Sequence, residues 1–457
     1  MCTKNKIVRV FLFCSVLNLS VSCSVPDRRT TLREKKTHRS ASALNAAVAS
    51  EMQARRRAVR DYVGTMPLEE QVCQLFIENL EGNETYVPAE WTVRTTGRRR
   101  ALVPGGYLFF SYNIADSPEK IIKFTGSINE YCASRGMIPP YLALDQEGGS
   151  VSRLRGIAGP LPSCEKVAAV LSASDAYRLY SLQAQQMRAL GFTMNLAPVA
   201  EVCSEENRKF LAERSFGTSS AVIRYGTAAV NAFQNNGIAA VLKHFPGNTN
   251  TDPHSGLPEI TLSQEQIASD VMVPFKRLVS REPAGVLMSH ARTSSLDPMT
   301  PACLSSAWVT GMLRGEADFQ GLIFSDDIFM SALAGNGYPP DTAAVRAVEA
   351  GVDVIMISEK RFSGPASVLV AHAQKDPAFA RKIRNAVERV ILFKIQYGLL
   401  RLQKEGADWR VTVPSVQNGS ADNGISARLT EFTAAREENT SLYGQYFTAG
   451  GTIHASE

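Results

Sequence analysis

Eight short apolar runs, separated by segments with helical periodicity, constrain the fold of this 457-residue chain more than any other feature. Runs of this length that are apolar on both faces are typical of buried parallel strands. The runs are Val72–Phe76, Gly106–Phe110, Tyr141–Leu144, Met194–Val199, Ala239–Leu242, Gly285–Met288, Gly321–Phe324 and Val354–Ile357. Eight strand–helix units predict an α/β fold, a (β/α)8 barrel of the TIM type. A doubly wound sheet is the alternative, because periodicity does not distinguish a closed sheet from an open one.

The N-terminal 22 residues have the pattern of an export signal. Three cationic residues precede the apolar segment Val10–Leu19, which is too short to span a membrane as a mature helix. The small residues before Cys23 are typical of a bacterial lipoprotein cleavage site. We therefore expect residues 1–22 to be a signal peptide and Cys23 to be the lipidated first mature residue. The expected location is the cell envelope, either periplasmic or anchored in a membrane, and an ordinary secretory signal is the alternative.

Charge and composition divide the rest of the chain. Residues 24–60 contain ten Lys or Arg and three acidic residues, so 23–61 is predicted to be a basic linker beside an anionic membrane surface. Nucleic-acid binding would fit this charge but not export, and it is not expected. Residues 62–402 contain the strand–helix units and form the predicted barrel. The polar segment 403–457 is predicted to be a loosely ordered tail.

The cysteines of the main body indicate neither a metal site nor a disulfide framework. They are Cys73, Cys132, Cys164, Cys203 and Cys303. They are widely spaced, and they form no CxxC pair or Cys/His cluster of the zinc type. We expect them to be buried as small apolar residues, with one disulfide as the alternative in an oxidising compartment. No metal or organic cofactor is predicted.

The loop after the fifth apolar run contains several groups that could take part in catalysis. Lys243 and His244 follow Ala239–Leu242, and Asp252 and His254 stand two residues apart further along the same Gly/Pro/Asn-rich loop. At this spacing the carboxylate can orient the imidazole, and an oriented His donates and accepts protons near neutral pH. A purely structural hydrogen bond between the two is the alternative.

Polar residues also follow other runs, and in a closed barrel they would converge on one face. Asp326 and Asp327 end the seventh run, where a carboxylate could be a nucleophile, a metal ligand or a helix cap. Asp145 and Arg153 flank a Gly-Gly turn and could bind vicinal sugar hydroxyls, and Arg214 offers a similar fork of donors. Structural ion pairs are the alternative for these charges.

Taken in chain order, these motifs resemble glycoside hydrolase family 3, and within it the bacterial β-N-acetylglucosaminidase (NagZ-type) branch. The matching motifs are Asp145–Gly149 with Arg153, Asn195–Val199, Arg214–Gly217, Lys243–Gly247, Asp252–His254, Met288–His290, Phe324–Asp327 and Ala350–Asp353. The resemblance covers about residues 62–402, and the Lys243–Gly247 block followed by Asp-x-His is specific to this branch.

The resemblance implies a retaining exo-β-N-acetylglucosaminidase acting on N-acetylglucosamine-containing glycans such as peptidoglycan fragments, as a monomer. It implies that Asp326 is the nucleophile, that His254 is the general acid and base, and that Asp252 orients His254. It also implies that the sugar is held by Asp145, Arg153, Arg214, Lys243 and His244.

The chain departs from the family pattern around the proposed acid/base. The spacer Asn248–Thr251 is shorter than usual, Glu201 stands where Asp is usual, and Pro253 replaces a usual Ser. Two alternatives therefore stay open: a phosphorylase, since a neutral His tolerates phosphate better than a carboxylate does, and a glycan-binding lipoprotein with impaired catalysis. A β-glucosidase is disfavoured because that branch generally lacks the Asp-x-His pair.

Overall fold

The computed structural model describes residues 49–95, 98–406, 408–414 and 421–448. Contacts divide the chain into two units, Met1–Ala54 and Arg55–Glu457. Of the first unit, only the start of a helix that covers 49–65 is described. The predicted signal peptide, Cys23 and most of the predicted linker lie outside the described residues.

Eight parallel strands in the second unit close into a barrel, which confirms the (β/α)8 prediction and excludes the doubly wound alternative. The strands are β1 (Phe76–Asn79), β2 (Gly106–Phe109), β3 (Tyr141–Leu144), β4 (Met194–Asn195), β5 (Ala239–Phe245), β6 (Gly285–Met288), β7 (Leu322–Asp327) and β8 (Val354–Ile357). Each strand pairs with its neighbour in chain order, and β8 pairs with β1. The prediction of a strand at Val72–Phe76 is wrong, because Val72 lies in the helix Leu68–Cys73 and the strand begins at Phe76.

Helices connect most of the strands on the outside of the barrel. The longer ones are Pro118–Ser134, Ala173–Leu190, Ser219–Asn235, Val273–Val279, Ala307–Glu316 and Pro340–Ala350. Two more helices, Ser363–Lys375 and Pro377–Gln396, follow β8. Several begin where the sequence offers a capping hydroxyl: Ser117, Ser172 and Thr218 each accept a backbone N–H from the first helical turn. Between β1 and β2 the described residues form a hairpin, Trp91–Thr95 with Arg98–Leu102, instead of a helix.

One end of the barrel is closed by the helix Pro377–Gln396, which we call the floor helix. Its Val390 and Phe393 belong to the same buried apolar cluster as side chains of the barrel interior. The Phe393 ring lies 5.4 Å from the ring of Tyr141, the first residue of β3. The floor helix therefore fills the N-terminal end of the barrel interior.

Two strands carry an extra residue at that C-terminal end. Along β6, Leu287 pairs with Lys243 of β5 and Met288 with Phe245, so His244 is the unmatched residue of a bulge. A similar shift separates Phe324 and Asp327 of β7 in their pairing with β8. A bulge re-aims side chains and interrupts the alternation between the two faces of a strand.

The described helices and strands continue past both predicted boundaries of the barrel domain. The helix 49–65 crosses the predicted linker end at residue 61, and its Val59 and Val63 are buried in the core. The predicted tail contains the hairpin Arg401–Glu405 with Asp408–Thr412 and the helix Ala421–Phe447. The sequence did not predict this helix, because its few apolar residues at helical spacing stand among many polar ones. Its buried apolar residues are Phe432, Ala435 and Leu442.

The five body cysteines follow the prediction in part. Each is a free thiol. Four are buried, as expected for small apolar residues, whereas Cys203 is half-buried.

In the described ranges, no helix combines the length and apolar character needed to cross a bilayer.

The buried carboxyl group of Glu78 in β1 predicts how the stability of the protein depends on pH. It is fully buried, and burial, partly offset by the backbone N–H of Phe362, raises its pKa from the ordinary 4.5 to about 8. The neutral carboxyl therefore stabilises the fold fully below pH 4.5, and this contribution is lost as the pH rises to about 8. We expect the melting temperature of the wild type, relative to Glu78→Gln, to fall across this window and then level off. The exposed Glu437→Gln is the control, and parallel profiles for wild type and Glu78→Gln would contradict the prediction.

Candidate active site

The open end of the barrel holds a cleft of about 770 Å³, within the size range of small-molecule sites. All eight predicted catalytic and substrate-binding residues line it: Asp145, Arg153, Arg214, Lys243, His244, Asp252, His254 and Asp326. They come from the ends of β3, β5 and β7 and from the loops after β3, β4 and β5. The structure thus brings the predicted site together, apart from the proposed lipid anchor Cys23, which lies outside the described residues.

A buried ammonium group lies at the centre of the cleft. Lys243 Nζ is 2.6 Å from Asp145 Oδ1 and 2.6 Å from Glu147 Oε1. Burial alone would lower the pKa of Lys243, but the two carboxylates outweigh burial and raise it. Lys243 therefore stays charged and holds both acids in place.

Two arginines complete this cluster. Arg214 donates to both oxygens of Glu147, at 2.8 and 2.9 Å, and Arg153 donates to Asp145 at 3.3 Å. Burial would raise the pKa of Asp145, but the charges of Lys243 and Arg153 lower it to about 2. The cluster therefore presents fixed donors and acceptors, an arrangement suited to a ligand rich in hydroxyl and amide groups. Sequence reasoning missed Glu147, although it lies within the motif that identified Asp145.

His244 is oriented from behind the cleft by Glu201. The His244 Nδ1 donates to Glu201 Oε1 at 2.6 Å, and the other carboxylate oxygen accepts the backbone N–H of Asn248 at 2.6 Å. The bond to Nδ1 fixes the tautomer of the ring. The departure from the usual Asp at position 201 is therefore a supporting contact, which the sequence did not indicate.

The Asp252–His254 pair forms as predicted. His254 Nδ1 is 2.7 Å from Asp252 Oδ1, which also accepts the His254 backbone N–H at 2.9 Å. That backbone bond is the main cause of the lowered pKa of Asp252. The two side chains are 71% and 55% exposed, so the pair lies at the solvent side of the cleft.

The shortened loop that carries this pair is tied to its neighbours at two points. Asn250 Nδ2 donates to the Glu205 carbonyl at 2.7 Å, and the Pro253 carbonyl accepts the backbone N–H of Ala332 at 3.1 Å. Ala332 belongs to the segment that follows β7, the strand that carries Asp326. The shorter spacer therefore does not remove His254 from the cleft.

The two adjacent aspartates of β7 have different surroundings. Asp327 is buried and accepts hydrogen bonds from the backbone N–H groups of Phe329 and Ser358 and from the Ser358 hydroxyl. Asp326 is half-buried, and its Oδ1 accepts the Asp327 backbone N–H at 2.9 Å. Its Oδ2 has no partner within the described part of the chain. Both carboxylate oxygens of Asp327 are therefore used in hydrogen bonds that hold the local structure, whereas one oxygen of Asp326 is left to contact a ligand.

Over 49–95, 98–406, 408–414 and 421–448, no group of three or more His, Cys, Asp or Glu side chains could hold a metal ion.

Comparison with known proteins gives the family. The model of the glycosyl hydrolase family 3 N-terminal domain matches residues 104–393, more than half of the chain. The chain belongs to glycosyl hydrolase family 3. Within the family, it is 34% identical over 241 residues to β-hexosaminidase LpqI of Mycobacterium tuberculosis. That match covers 51% of this chain and 62% of the relative, so the chain spans less than two thirds of the mycobacterial protein.

Other family members show the same similarity. A β-hexosaminidase of Alkalilimnicola ehrlichii is 34% identical over 272 residues, which cover 57% of this chain and 76% of the relative. The solved family 3 β-N-acetylglucosaminidase of Paenibacillus sp. str. FPU-7 superposes with a TM-score of 0.67 at 27% identity, covering 80% of this chain and 69% of the other. The solved LpqI of M. tuberculosis gives 0.63 at 26% identity, covering 74% and 96%.

The buried charge cluster predicts a large effect for loss of Lys243. Lys243→Met keeps the length of the side chain but leaves Asp145 and Glu147 without their shared cation. Since breaking a buried ion pair leaves an uncompensated charge in the interior, we expect the free energy of unfolding in urea to fall by about 3–5 kcal/mol. The control Lys276→Met breaks an exposed ion pair with Glu316 and should cost at most about 1 kcal/mol. Equal losses for the two variants would contradict the prediction.

Proposed function

We propose that the protein is a retaining exo-β-N-acetylglucosaminidase that removes terminal β-linked N-acetylglucosamine. One observation carries this proposal: a half-buried aspartate, a His–Asp pair and a rigid cation–carboxylate cluster line the same cleft. The names of the family relatives, β-hexosaminidase and β-N-acetylglucosaminidase, support the choice of sugar.

In the first step, the proposed nucleophile is Asp326. Its carboxylate attacks the anomeric carbon and forms a covalent glycosyl-enzyme as the glycosidic bond breaks. The protonated imidazole of His254 gives its proton to the departing oxygen, and Asp252 stabilises the charged ring before the transfer. The cluster around Lys243 holds the sugar during this displacement.

In the second step, His254 acts as a base. The neutral ring takes a proton from water, whose oxygen attacks the anomeric carbon and releases Asp326. Two displacements restore the original configuration, so the product is the β-anomer. Here a His–Asp pair replaces the second carboxyl group that most retaining glycosidases use.

The proposed reaction is tested with 4-nitrophenyl N-acetyl-β-glucosaminide. We expect Asp326→Asn to lower kcat by at least about 10³-fold, because no covalent path remains, and His254→Ala to lower it by about 10²- to 10⁴-fold. The control His372→Ala removes a histidine that does not line the cleft and should keep the wild-type rate. Similar rates for wild type, Asp326→Asn and His254→Ala would rule out the mechanism.

The same assay separates the alternatives that the sequence leaves open. Release of N-acetylglucosamine 1-phosphate in phosphate buffer would indicate phosphorolysis, and free N-acetylglucosamine indicates hydrolysis. Retained N-acetylglucosamine binding without turnover would indicate a glycan-binding protein. We propose hydrolysis, with peptidoglycan fragments as the natural substrates because these are the N-acetylglucosaminides that an envelope enzyme meets.

We propose that the protein is exported and anchored through a lipid on Cys23. The supporting features are the short apolar segment, the small residues before Cys23 and the basic stretch that follows. We expect wild-type protein in the membrane fraction of a bacterial host and Cys23→Ser in the soluble fraction, with Cys203→Ser as the control. Equal membrane association of wild type and Cys23→Ser would contradict the anchor.

A further inference from the structure

The rim of the cleft carries two aromatic rings that the proposed reaction does not use. Phe110 and Tyr112 both line the cleft, and their rings stack with centroids 5.9 Å apart and planes inclined by 12°. Tyr112 is 57% exposed. A large aromatic side chain left open to solvent beside an active site is a surface for ligand contact.

Buried hydrogen bonds fix the position of this exposed ring. Tyr112 donates its hydroxyl to Asn79 Oδ1. Asn79 Nδ2 in turn donates to Asn113 Oδ1 at 2.9 Å, and both asparagines are fully buried. Asn113 also accepts the backbone N–H of Phe110 at 3.0 Å. The aromatic pair is therefore ordered before any ligand arrives, which lowers the entropy lost on binding.

A line of contacts leads from the buried cluster to this pair. The Asp145 side chain is 14% exposed, and that of its partner Arg153 is 27% exposed. The guanidinium of Arg153 lies 5.4 Å from the centre of the Phe110 ring, on which Tyr112 stacks. Exposure increases from Asp145 through Arg153 to Tyr112, so the aromatic pair lies between the proposed sugar-binding cluster and solvent.

We propose that Phe110 and Tyr112 form a platform for the sugar that leaves, the residue on the other side of the bond being cut. The platform rests on the proposed function. In a cleft closed at its floor, the terminal sugar lies deepest and the next residue of the glycan must lie at the rim. One face of a pyranose ring consists of C–H groups, and this apolar face packs on an aromatic ring.

The two cations beside the platform are each paired with a carboxylate. Lys360 Nζ lies 5.6 Å from the centre of the Tyr112 ring and is paired with Glu81 at 2.5 Å, and Arg153 is paired with Asp145. The leaving group that fits the platform is therefore a pyranoside, recognised by its ring face.

The test compares two readouts in wild type and Tyr112→Ala. The first is kcat/KM for N,N′-diacetylchitobiose, whose leaving group is a second sugar. The second is the inhibition constant of free N-acetylglucosamine against 4-nitrophenyl N-acetyl-β-glucosaminide, which reports the deep sugar site alone. We expect kcat/KM for the disaccharide to fall about 3- to 10-fold, mainly through KM, and the inhibition constant to stay unchanged.

Two further variants test whether the loss of disaccharide activity comes from the aromatic ring of Tyr112. Tyr112→Phe keeps the ring and should retain most of the disaccharide activity. Tyr177→Ala removes another exposed tyrosine, whose hydroxyl also contacts an asparagine but which does not line the cleft, and it should change neither readout.

The outcomes separate the platform from the proposed function. An unchanged kcat/KM for the disaccharide in Tyr112→Ala would overturn the platform while the glycosidase assignment stands. An equal loss in both readouts would place Tyr112 at the deep sugar site and would also overturn it, as would an equal loss in Tyr112→Phe. Failure of the wild type to hydrolyse either substrate would overturn the proposed function itself.

Discussion

The arrangement of the cleft depends on the ion pairs that Lys243 makes with Asp145 and Glu147. Two carboxylates this deeply buried are stable as anions only beside a cation, and their positions then fix Arg153 and Arg214. The residues belong to β5 and to the segments after β3 and β4, so one buried charge links three parts of the barrel rim. Side chains held in this way need little reorganisation when a ligand enters the cleft.

The proposed acid/base pair has the opposite character. His254 and Asp252 are exposed on a loop, whereas Lys243 and Asp145, which are proposed to hold the sugar, are 4% and 14% exposed. A catalytic His that must exchange protons with a leaving group and then with water benefits from access to solvent. The two loop contacts at Asn250 and Pro253 keep the pair in the cleft without burying it. In the proposed reaction, the sugar would thus be bound by buried side chains at the strand ends, and protons would be transferred by an exposed pair on the loop after β5.

Much of this site could be predicted from the sequence because catalytic positions in a barrel follow the ends of apolar runs. Seven of the eight predicted runs correspond to observed strands, and the polar residues that follow them in the chain line one cleft. The sequence did not predict the bulge at His244, because periodicity carries no information on register between strands. It also missed the role of Glu201, which depends on a contact with a residue distant in the chain, and the helix Ala421–Phe447, whose few apolar residues are diluted by polar ones.

The floor helix has a consequence for the order of events. With Phe393 and Val390 filling the far end of the barrel interior, the strand ends that carry the proposed catalytic groups are the side from which a ligand reaches the cleft. In the proposed reaction, a long glycan would therefore insert only its terminal sugar. The leaving group would depart before water reaches the anomeric carbon, and the terminal sugar would leave last. The filled end of the barrel would then set the order in which the two products of the proposed reaction leave the cleft.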